Sequence, residues 1–358
     1  MITIIYSNRD RDYDRIRFTI ESLCNQTDKR FKVIFVDYGS HEDLVIKLKK
    51  LFKKYTFIES YFLPVKHLLW NKSKALNYGI LQCKTSFIFI ADVDHIFHPK
   101  WIENLNNIKD PDYFFLFELG YLSQKESLKI NKEYKFENFS VSNFGKVNGM
   151  ILAPKRAYID VNGFDEFFHF YGGEDVDLFA RLKNAGFKKQ RFPKKLVYHN
   201  WHKSFAGSED KLMTRKPRVK NIMRLNQRHF LTNKVFKRVR PLRQLRIDEN
   251  DYMKEVGNLK NPDHKYSILN IQAHVEHFLN EELKSVTGVV HAKFEIDPFY
   301  QSYKHQLKRL LGKQTQPYIS LKKVNDLILK KIVFDYRDSN YSFDISDDFN
   351  SINFRIEL

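Results

Sequence analysis

The sequence contains very little cysteine. Only Cys24 and Cys83 occur among 358 residues, and neither has the spacing of a metal or redox motif. A disulfide framework is not expected, because disulfide-stabilised proteins carry several paired cysteines. We therefore expect a protein of a reducing compartment, the cytoplasm.

Long apolar runs are also missing. The first ten residues, MITIIYSNRD, hold too short an apolar stretch for a signal peptide. No window approaches the roughly 18 apolar residues of a membrane span. The sequence predicts a protein that is soluble or binds a membrane peripherally, at its inner face.

No long stretch has the Gly, Ser or Pro bias of a disordered tract. An apolar fraction of 42%, with 32 Phe and 19 Tyr, is enough to build hydrophobic cores. The chain is longer than a single core of roughly 250 to 300 residues supports. We predict a main domain over residues 1–240 and an accessory domain of unassigned role over residues 241–358.

Acidic residues are in deficit. The 61 Lys and Arg exceed the 43 Asp and Glu by 18, and residues 203–246 are strongly basic. Such a stretch suits a nucleic acid, an anionic membrane or a phosphorylated substrate. No nucleic-acid recognition motif is visible and a run of charge is usually a solvated surface, so we do not expect a nucleic-acid partner. A basic nucleic-acid or polyanion-binding protein stays the alternative. Contact with an anionic membrane leaflet is the other use left open.

Apolar runs alternate with helical patterns along the first hundred residues. Continuous apolar runs predict strands that are covered on both faces, as in a largely parallel sheet. The sequence therefore predicts an α/β, Rossmann-like fold with helices flanking a central sheet. Helical patches at 265–284, 299–311 and 320–331, with a terminal pair of strand-like segments, predict a mainly helical C-terminal appendage. The predicted strands of the first hundred residues are 2–6, 31–36, 56–63 and 86–91.

Polar clusters that contain Asp follow three of these four strands. Ligands of open α/β sheets bind outside the carboxyl ends of the strands, so this placement predicts a ligand site. Asp92 and Asp94 flank Val93 where a strand ends, and two carboxylates at this spacing can share one divalent cation. Hard oxygen ligands suit Mn²⁺ or Mg²⁺.

Two later motifs add candidate chemistry. Gly172 and Gly173 allow close backbone approach to a ligand. The acids that open the next helix include Glu174 and Asp175, and helix capping explains only one of them, so we predict that one serves as a general base. His199 and His202 follow a strand predicted over 191–198. We expect at least one of them to bind the metal, with His199 ahead of His202.

The order of these motifs resembles the family 2 glycosyltransferases of GT-A fold. The Gly-Gly-Glu-Asp segment resembles that of the galactosyltransferase and N-acetylgalactosaminyltransferase branch, including chondroitin-polymerase-type enzymes. The resemblance covers residues 1–205. It rests on Ser7-Asn8-Arg9, Val36-Asp37-Tyr38-Gly39-Ser40, Asn71-Lys72-Ser73-Lys74-Ala75-Leu76-Asn77, Asp92-Val93-Asp94, Asn162-Gly163-Phe164-Asp165-Glu166, Gly172-Gly173-Glu174-Asp175-Val176-Asp177-Leu178 and Tyr198-His199.

The resemblance implies a metal-dependent, inverting transfer of Gal, GalNAc, Glc or GlcNAc from a UDP-sugar to a hydroxyl of a glycan or lipid-linked acceptor. Asp175 would be the base, with Glu174 beside it. Asp94 and His199 would hold Mn²⁺ or Mg²⁺, and His202 is the second candidate imidazole. Tyr171, Gly172 and Gly173 would contact the acceptor. The donor-binding residues would be Ser7, Asn8, Arg9, Asp37, Lys72, Asn77, Asp92 and Val93.

The sequence departs from the family at two motifs. Asp37-Tyr38 stands where many members have two acids, so the nucleotide contacts are expected to differ. Phe170-Tyr171 replaces the commoner Gly-Trp, so the acceptor platform is expected to differ too. A nucleotide-sugar-binding protein without transferase activity is the remaining alternative, and the acids at 92, 94 and 175 favour the enzyme. The sugar, acceptor and oligomeric state are not indicated.

Overall fold

The computed structural model describes residues 1–131, 135–141, 143–146, 148–203, 211–242, 249–300 and 302–358. The chain forms two compact units. The first comprises Met1–Lys66, Trp70–Phe205 and Asn226–Met253, and the second His67–Leu69, Ala206–Leu225 and Lys254–Leu358. Parts of the basic segment (204–210 and 243–246) lie outside the described residues. So does Val147, the first residue of the run VNGMILAP, whose sequence predicts a strand. The roles assigned to residues 1–240 and 241–358 stay predictions.

The first unit alternates strands and helices. Its described strands are β1 (Ile2–Asn8), β2 (Phe31–Asp37), β3 (Ile58–Phe62), β4 (Phe87–Ile90), β5 (His95–Phe97), β6 (Tyr113–Leu116), β7 (Leu119–Tyr121), β8 (Asn143–Gly145), β9 (Ile151–Pro154), β10 (Lys188–Arg191) and β11 (Val197–His199). Its described helices are α1 (Tyr13–Cys24), α2 (Glu42–Phe52), α3 (Lys72–Gln82), α4 (Trp101–Ile108), α5 (Gln124–Ser127), α6 (Lys155–Asp160), α7 (Glu174–Asn184) and α8 (Ile222–Val235), which enters this unit at Asn226.

Seven strands form the central sheet, in the order β10-β6-β9-β4-β1-β2-β3. All run parallel except β9, which is antiparallel to both β4 and β6. Every residue of β1 is buried, as the continuous apolar run predicted for a strand covered on both faces. The predicted α/β fold with a mostly parallel sheet is confirmed.

Helix α3 lies close to the sheet and carries a charged residue at its start. A Cβ added at Gly79 would lie only 2.5 Å from Ile5 Cγ2, so this helix position needs glycine. The side chain of Asn71 caps the helix by accepting a hydrogen bond from Lys74 N at 2.9 Å. The cap fixes the first turn, where Lys72 projects from the carboxyl edge of the sheet.

A smaller sheet, β5-β11-β7-β8, joins distant parts of the sequence. Strands β5 and β11 are antiparallel, with His95 opposite His199, and Asn200 N donates to the carbonyl of Asp94 at 2.9 Å. This pairing brings the Asp92-Val93-Asp94 segment beside the histidines that follow β11.

The second unit contains a four-stranded sheet, β12-β13-β15-β14. Its helices lie close to the predicted helical patches. Strands β12 and β13 were not predicted, so the unit is less helical than expected. In residues 264–269 partly buried and exposed positions alternate along most of the strand, and only Ile268 is fully buried. The strand runs into a helix without a Gly or Pro break, so the sequence did not reveal it. The described elements are β12 (His264–Leu269), α9 (Gln272–Asn280), β13 (Val289–Glu295), α10 (Tyr303–Leu310), α11 (Leu321–Lys331), β14 (Tyr341–Ile345) and β15 (Ser351–Glu357). Among the described residues, every helix is too short or too polar to cross a bilayer.

Candidate active site

A cavity of about 600 Å³ opens in the first unit. Its lining residues come from the ends of β1 and β4, the start of α3 and the loop before α7. Residues that are distant in sequence therefore line one cavity. Twelve of the sixteen predicted site residues line it, namely Ser7, Lys72, Asp92, Val93, Asp94, Tyr171, Gly172, Gly173, Glu174, Asp175, His199 and His202.

Asp94, His199 and His202 form a candidate metal centre in this cavity. One potential ligand atom from each lies within 4.8 Å of the other two. His199 Nε2 is 3.6 Å from Asp94 Oδ1, and His202 Nε2 is 3.3 Å from Asp94 Oδ2. The sequence left open which histidine takes part, and the structure places both beside the same carboxylate.

The donor atoms of this centre fit a divalent cation. Asp94 Oδ1 is buried without a hydrogen-bond partner among the described residues. Buried polar atoms normally have a partner, and a bound cation would supply one here. His202 Nδ1 donates to the carbonyl of Lys203 at 3.0 Å, so Nε2, which faces Asp94, is the ring nitrogen that can coordinate a cation once it has lost its proton. Burial alone would raise the pKa of Asp94, but the hydrogen bond from His202 and the nearby His199 hold it well below its usual range.

His95 is a cavity residue that sequence reasoning missed. Its side chain is buried, both ring nitrogens lack hydrogen-bond partners among the described residues, and Nε2 lies 4.0 Å from Asp94 Oδ1. Burial lowers the pKa of His95 to about 4, so the ring is neutral at physiological pH. Its position directly after Asp94 was the available signal.

Lys72 joins the two acidic motifs of the cavity. Its Nζ lies 2.8 Å from Asp92 Oδ1 and 3.5 Å from Glu174 Oε1. Burial would lower the pKa of Lys72, but the two carboxylates outweigh it and raise the pKa above its usual value. Burial likewise acts to raise the pKa of Asp92, and the Lys72 ammonium more than offsets this. Lys72 therefore stays charged and neutralises part of the acidic cluster.

Asp175 is an acid of the cavity whose pKa is raised above its ordinary value. Burial and the adjacent Glu174 raise the pKa of Asp175 to about 6. Its Oδ1 accepts a hydrogen bond from Val176 N at 2.8 Å. A carboxylate with a pKa near neutrality holds a transferred proton better than an ordinary aspartate does, which suits a general base.

The loop that leads to Asp175 has an unusual backbone. Phe170, Gly172 and Gly173 have positive φ angles of 63°, 83° and 101°. A Cβ at Gly173 would also lie 2.7 Å from Phe168 Cε1, so the glycine is required by space as well as by φ. Positive φ at Phe170 costs energy that surrounding contacts must offset.

Four predicted donor residues do not line the cavity. Asn8 and Asp37 are buried, and Asn8 Nδ2 donates to Asp37 Oδ2 at 2.7 Å. Arg9 donates to the carbonyl of Lys66 at 2.5 Å. Asn77 accepts from Phe164 N at 2.8 Å, so its side chain anchors the Gly-Phe-Asp turn. Their contacts with a nucleotide stay predictions.

Comparisons with known proteins show which family the first part of the chain resembles. Residues 1–166 match the family model "Glycosyl transferase family 2". Chondroitin sulfate N-acetylgalactosaminyltransferase 1 of Mus musculus is 25% identical over 221 residues, which cover 56% of this chain and 40% of that protein. Residues 1–166 are therefore similar to a family 2-like glycosyltransferase domain.

Further relatives are more distant. Chondroitin sulfate N-acetylgalactosaminyltransferase 2 of Homo sapiens is 22% identical over 227 residues, 58% of this chain and 41% of that protein. The chain thus spans about 40% of the length of the curated relatives it matches. Solved structures that resemble it include GalNAc-T7 with UDP, GalNAc and Mn²⁺ (14% identity, TM-score 0.45, 57% of this chain and 44% of that one). Another is the mannosyltransferase PcManGT from Pyrobaculum calidifontis with GDP-Man and Mn²⁺ (13% identity, TM-score 0.43, 58% and 59%).

Helix α8 holds the loop before α7 in place. This helix lies in the basic segment that the sequence suggested as a solvated surface, yet it buries Asn226 and Asn233 and half-buries His229. Asn226 Nδ2 lies 3.1, 3.0 and 2.9 Å from the carbonyl oxygens of His169, Tyr171 and Gly172. One amide therefore restrains three of the carbonyls around the strained backbone.

Changing Asn226 to Ala is expected to slow transfer while leaving the metal centre intact. The three carbonyls would lose a buried partner, which costs about 1 to 3 kcal/mol of stability. The loosened loop would misplace Asp175, and a displacement of 1 Å can cost about 10²-fold in rate. We expect kcat to fall by about tenfold to a hundredfold, with Mn²⁺ affinity unchanged, as measured by steady-state kinetics and calorimetry.

A matched control separates loop positioning from general destabilisation. Asn270 of the second unit is equally buried and donates to the carbonyl of Ile319 at 2.7 Å. Asn270→Ala is expected to lower the melting temperature without lowering kcat below the transition. Equal losses of kcat in the two variants would mean that Asn226 has no specific role in the loop.

Proposed function

We propose that the enzyme transfers a sugar from a UDP-sugar to a hydroxyl group of a glycan or lipid-linked acceptor, with inversion at the anomeric carbon. Mn²⁺ is held by Asp94, His199 and His202, and Asp175 is the general base. The observation that carries the proposal is the meeting of these four side chains in one cavity, although they lie far apart in sequence. Transferases need a metal for the leaving diphosphate and a base for the acceptor hydroxyl within reach of one substrate.

Mn²⁺ is the metal we assign to the centre. A bound divalent cation supplies Lewis-acid stabilisation for the charge that develops on the leaving diphosphate. The centre offers one carboxylate and two imidazoles, whereas Mg²⁺ prefers oxygen ligands and retains water. Nitrogen ligands therefore favour Mn²⁺ over Mg²⁺. Solved structures described with bound Mn²⁺ are consistent with this assignment.

Asp175 is assigned as the base in preference to Glu174. Glu174 lies 3.5 Å from the Lys72 ammonium, so its carboxylate is already engaged in an ion pair. Asp175 has a pKa of about 6, raised by burial and by Glu174. Because Oδ1 of Asp175 already accepts from Val176 N, Oδ2 is the oxygen that takes the proton of the acceptor hydroxyl.

The matched relatives direct the choice of substrates. Both are named N-acetylgalactosaminyltransferases, which supports UDP-GalNAc as the first donor to test among UDP-sugars. Tyr171 is 53% exposed and Trp201 is 42% exposed, and both line the cavity. Exposed aromatic faces suit stacking against an acceptor sugar ring. Acceptors to test are therefore glycans and lipid-linked sugars.

UDP-GalNAc with Mn²⁺ is expected to raise the melting temperature of the enzyme. A ligand at about 100 times its Kd stabilises the native state by about 2.7 kcal/mol. For a domain of this size that corresponds to a shift of about 5 to 10 °C. We expect a smaller shift with Mg²⁺ and little shift with either metal or nucleotide alone, measured by differential scanning fluorimetry.

GDP-mannose, measured under the same conditions, is the control for the choice of nucleotide in the melting-temperature experiment. UDP release in the presence of acceptor oligosaccharides then distinguishes transfer from binding alone. A shift of equal size for UDP-GalNAc with and without Mn²⁺ would contradict the proposed role of the metal centre.

A further inference from the structure

Helix α10 of the second unit presents an apolar stripe to solvent. Seven of its eight residues are exposed, and His305 is the buried one. Tyr303, Leu307 and Leu310 are 81%, 45% and 85% exposed, and Leu311, just after the helix, is 59% exposed. Positions i, i+4, i+7 and i+8 lie on one helix face, so these side chains form a single stripe.

The stripe is bordered by positive charge. Between Asp297 and Asp326 the sequence has no Asp or Glu, whereas it has six Lys and Arg, namely Lys304, Lys308, Arg309, Lys313, Lys322 and Lys323. Lys304, Lys308, Arg309 and Lys313 belong to or directly follow the helix and are exposed. Long cationic side chains can reach a charged surface while the apolar stripe between them is buried.

We propose that α10 binds in the plane of an anionic lipid bilayer, with Tyr303, Leu307, Leu310 and Leu311 inserted at the boundary between headgroups and acyl chains. A short amphipathic helix with large apolar side chains on one face and cations around it is the usual structure of an interfacial anchor. Anionic headgroups supply the charge that this acid-free stretch of chain lacks. The inference does not depend on the proposed sugar transfer.

The charge pattern favours a lipid bilayer, rather than a second copy of this chain, as the partner of α10. Two copies that met through α10 would bring together two sets of cations from a stretch of chain that itself contains no acid, which is unfavourable. The surface also differs from the basic segment at 203–246, because it combines its charge with a continuous apolar stripe.

Co-sedimentation with lipid vesicles tests the proposal on the full chain. We expect binding to vesicles of phosphatidylcholine with phosphatidylglycerol to exceed binding to phosphatidylcholine alone by about tenfold or more, and to weaken with salt. Changing Leu307, Leu310 and Leu311 together to Ser is expected to reduce binding by about tenfold or more. Lys304→Gln with Lys308→Gln is expected to reduce it by about twenty-five-fold, since each cation near the surface contributes about fivefold. These positions are exposed, so the melting temperature should not change.

Two charge-matched controls locate the surface. Lys53→Gln with Lys54→Gln, on an exposed part of the first unit, and Lys234→Gln with Lys237→Gln, in the basic segment, should retain vesicle binding. Equal binding to neutral and anionic vesicles would overturn the proposal. So would loss of binding in the 234/237 variant with retention in the α10 variants, or a wild-type dimer that the triple Ser variant turns into a monomer by light scattering.

Discussion

Replacing Asp175 with Asn is expected to lower kcat for sugar transfer by about 10² to 10⁴, the usual contribution of a positioned general base. Asn has nearly the same shape and its Oδ1 can still accept the hydrogen bond from Val176 N, so the start of α7 should be preserved. The metal centre uses other side chains, and donor binding should stay within about twofold of wild type. Steady-state kinetics and calorimetric titration with UDP and Mn²⁺ measure the two effects separately.

The pH profile identifies the group that acts as base. Only the ionised carboxylate accepts a proton, so kcat/KM should rise with pH through the Asp175 pKa of about 6 and fall away below it. This rising limb should be absent from Asp175→Asn. Glu174→Gln is the matched comparison, because Glu174 is adjacent and lines the same cavity. Near-normal turnover in Asp175→Asn, together with a collapse in Glu174→Gln, would transfer the role to Glu174.

The central sheet could be predicted because its signals are local. Continuous apolar runs, such as the one that forms β1, indicate buried strands wherever they occur. The carboxyl ends of such strands meet at one edge, which is why Asp92 and Asp94 could be placed at a ligand site before any coordinates. The second unit was predicted less well, since the period-two pattern of β12 runs directly into α9.

The pairing of the two histidines with Asp94 could not be predicted in full. It depends on the antiparallel register of β5 and β11, which sets His95 opposite His199 across about a hundred residues of chain. Sequence periodicity indicates that a strand exists but does not fix its long-range partner. The sequence therefore left His199 and His202 as alternatives, whereas the structure places both within reach of one carboxylate.

The role of α8 was hidden by charge. Its many Lys and Arg side chains indicated a solvated surface, although Asn226, His229 and Asn233 follow helical spacing on one face. Asn233 Nδ2 donates to Asp177 Oδ1 at 2.8 Å, and His229 Nε2 lies 2.8 Å from Asp165 Oδ2. Polar side chains on a helix face are buried only where the neighbouring elements supply hydrogen-bond partners for them. Those partners lie more than fifty residues earlier, so no local pattern could reveal them.

Replacing Asp94 with Asn is expected to abolish metal binding and, with it, transfer. The substitution keeps the shape of the side chain but removes the charge that a divalent cation requires from this centre. Loss of even an outer-shell partner of a metal ligand costs about tenfold to a hundredfold in affinity, so loss of the carboxylate ligand should cost at least about 10²-fold. Titration of free Mn²⁺ by electron paramagnetic resonance measures the affinity directly, without any need for turnover.

The two histidines extend this test to the whole centre. His199→Gln and His202→Gln should each weaken Mn²⁺ binding, because each ring presents Nε2 to the same carboxylate at 3.6 and 3.3 Å. His277 is a matched control, since it also faces a carboxylate, Glu282 at 2.8 Å, but on an exposed surface of the second unit. His277→Gln should bind Mn²⁺ like the wild type. A histidine variant with wild-type affinity would remove that residue from the ligand set, and wild-type affinity in Asp94→Asn would place the metal elsewhere.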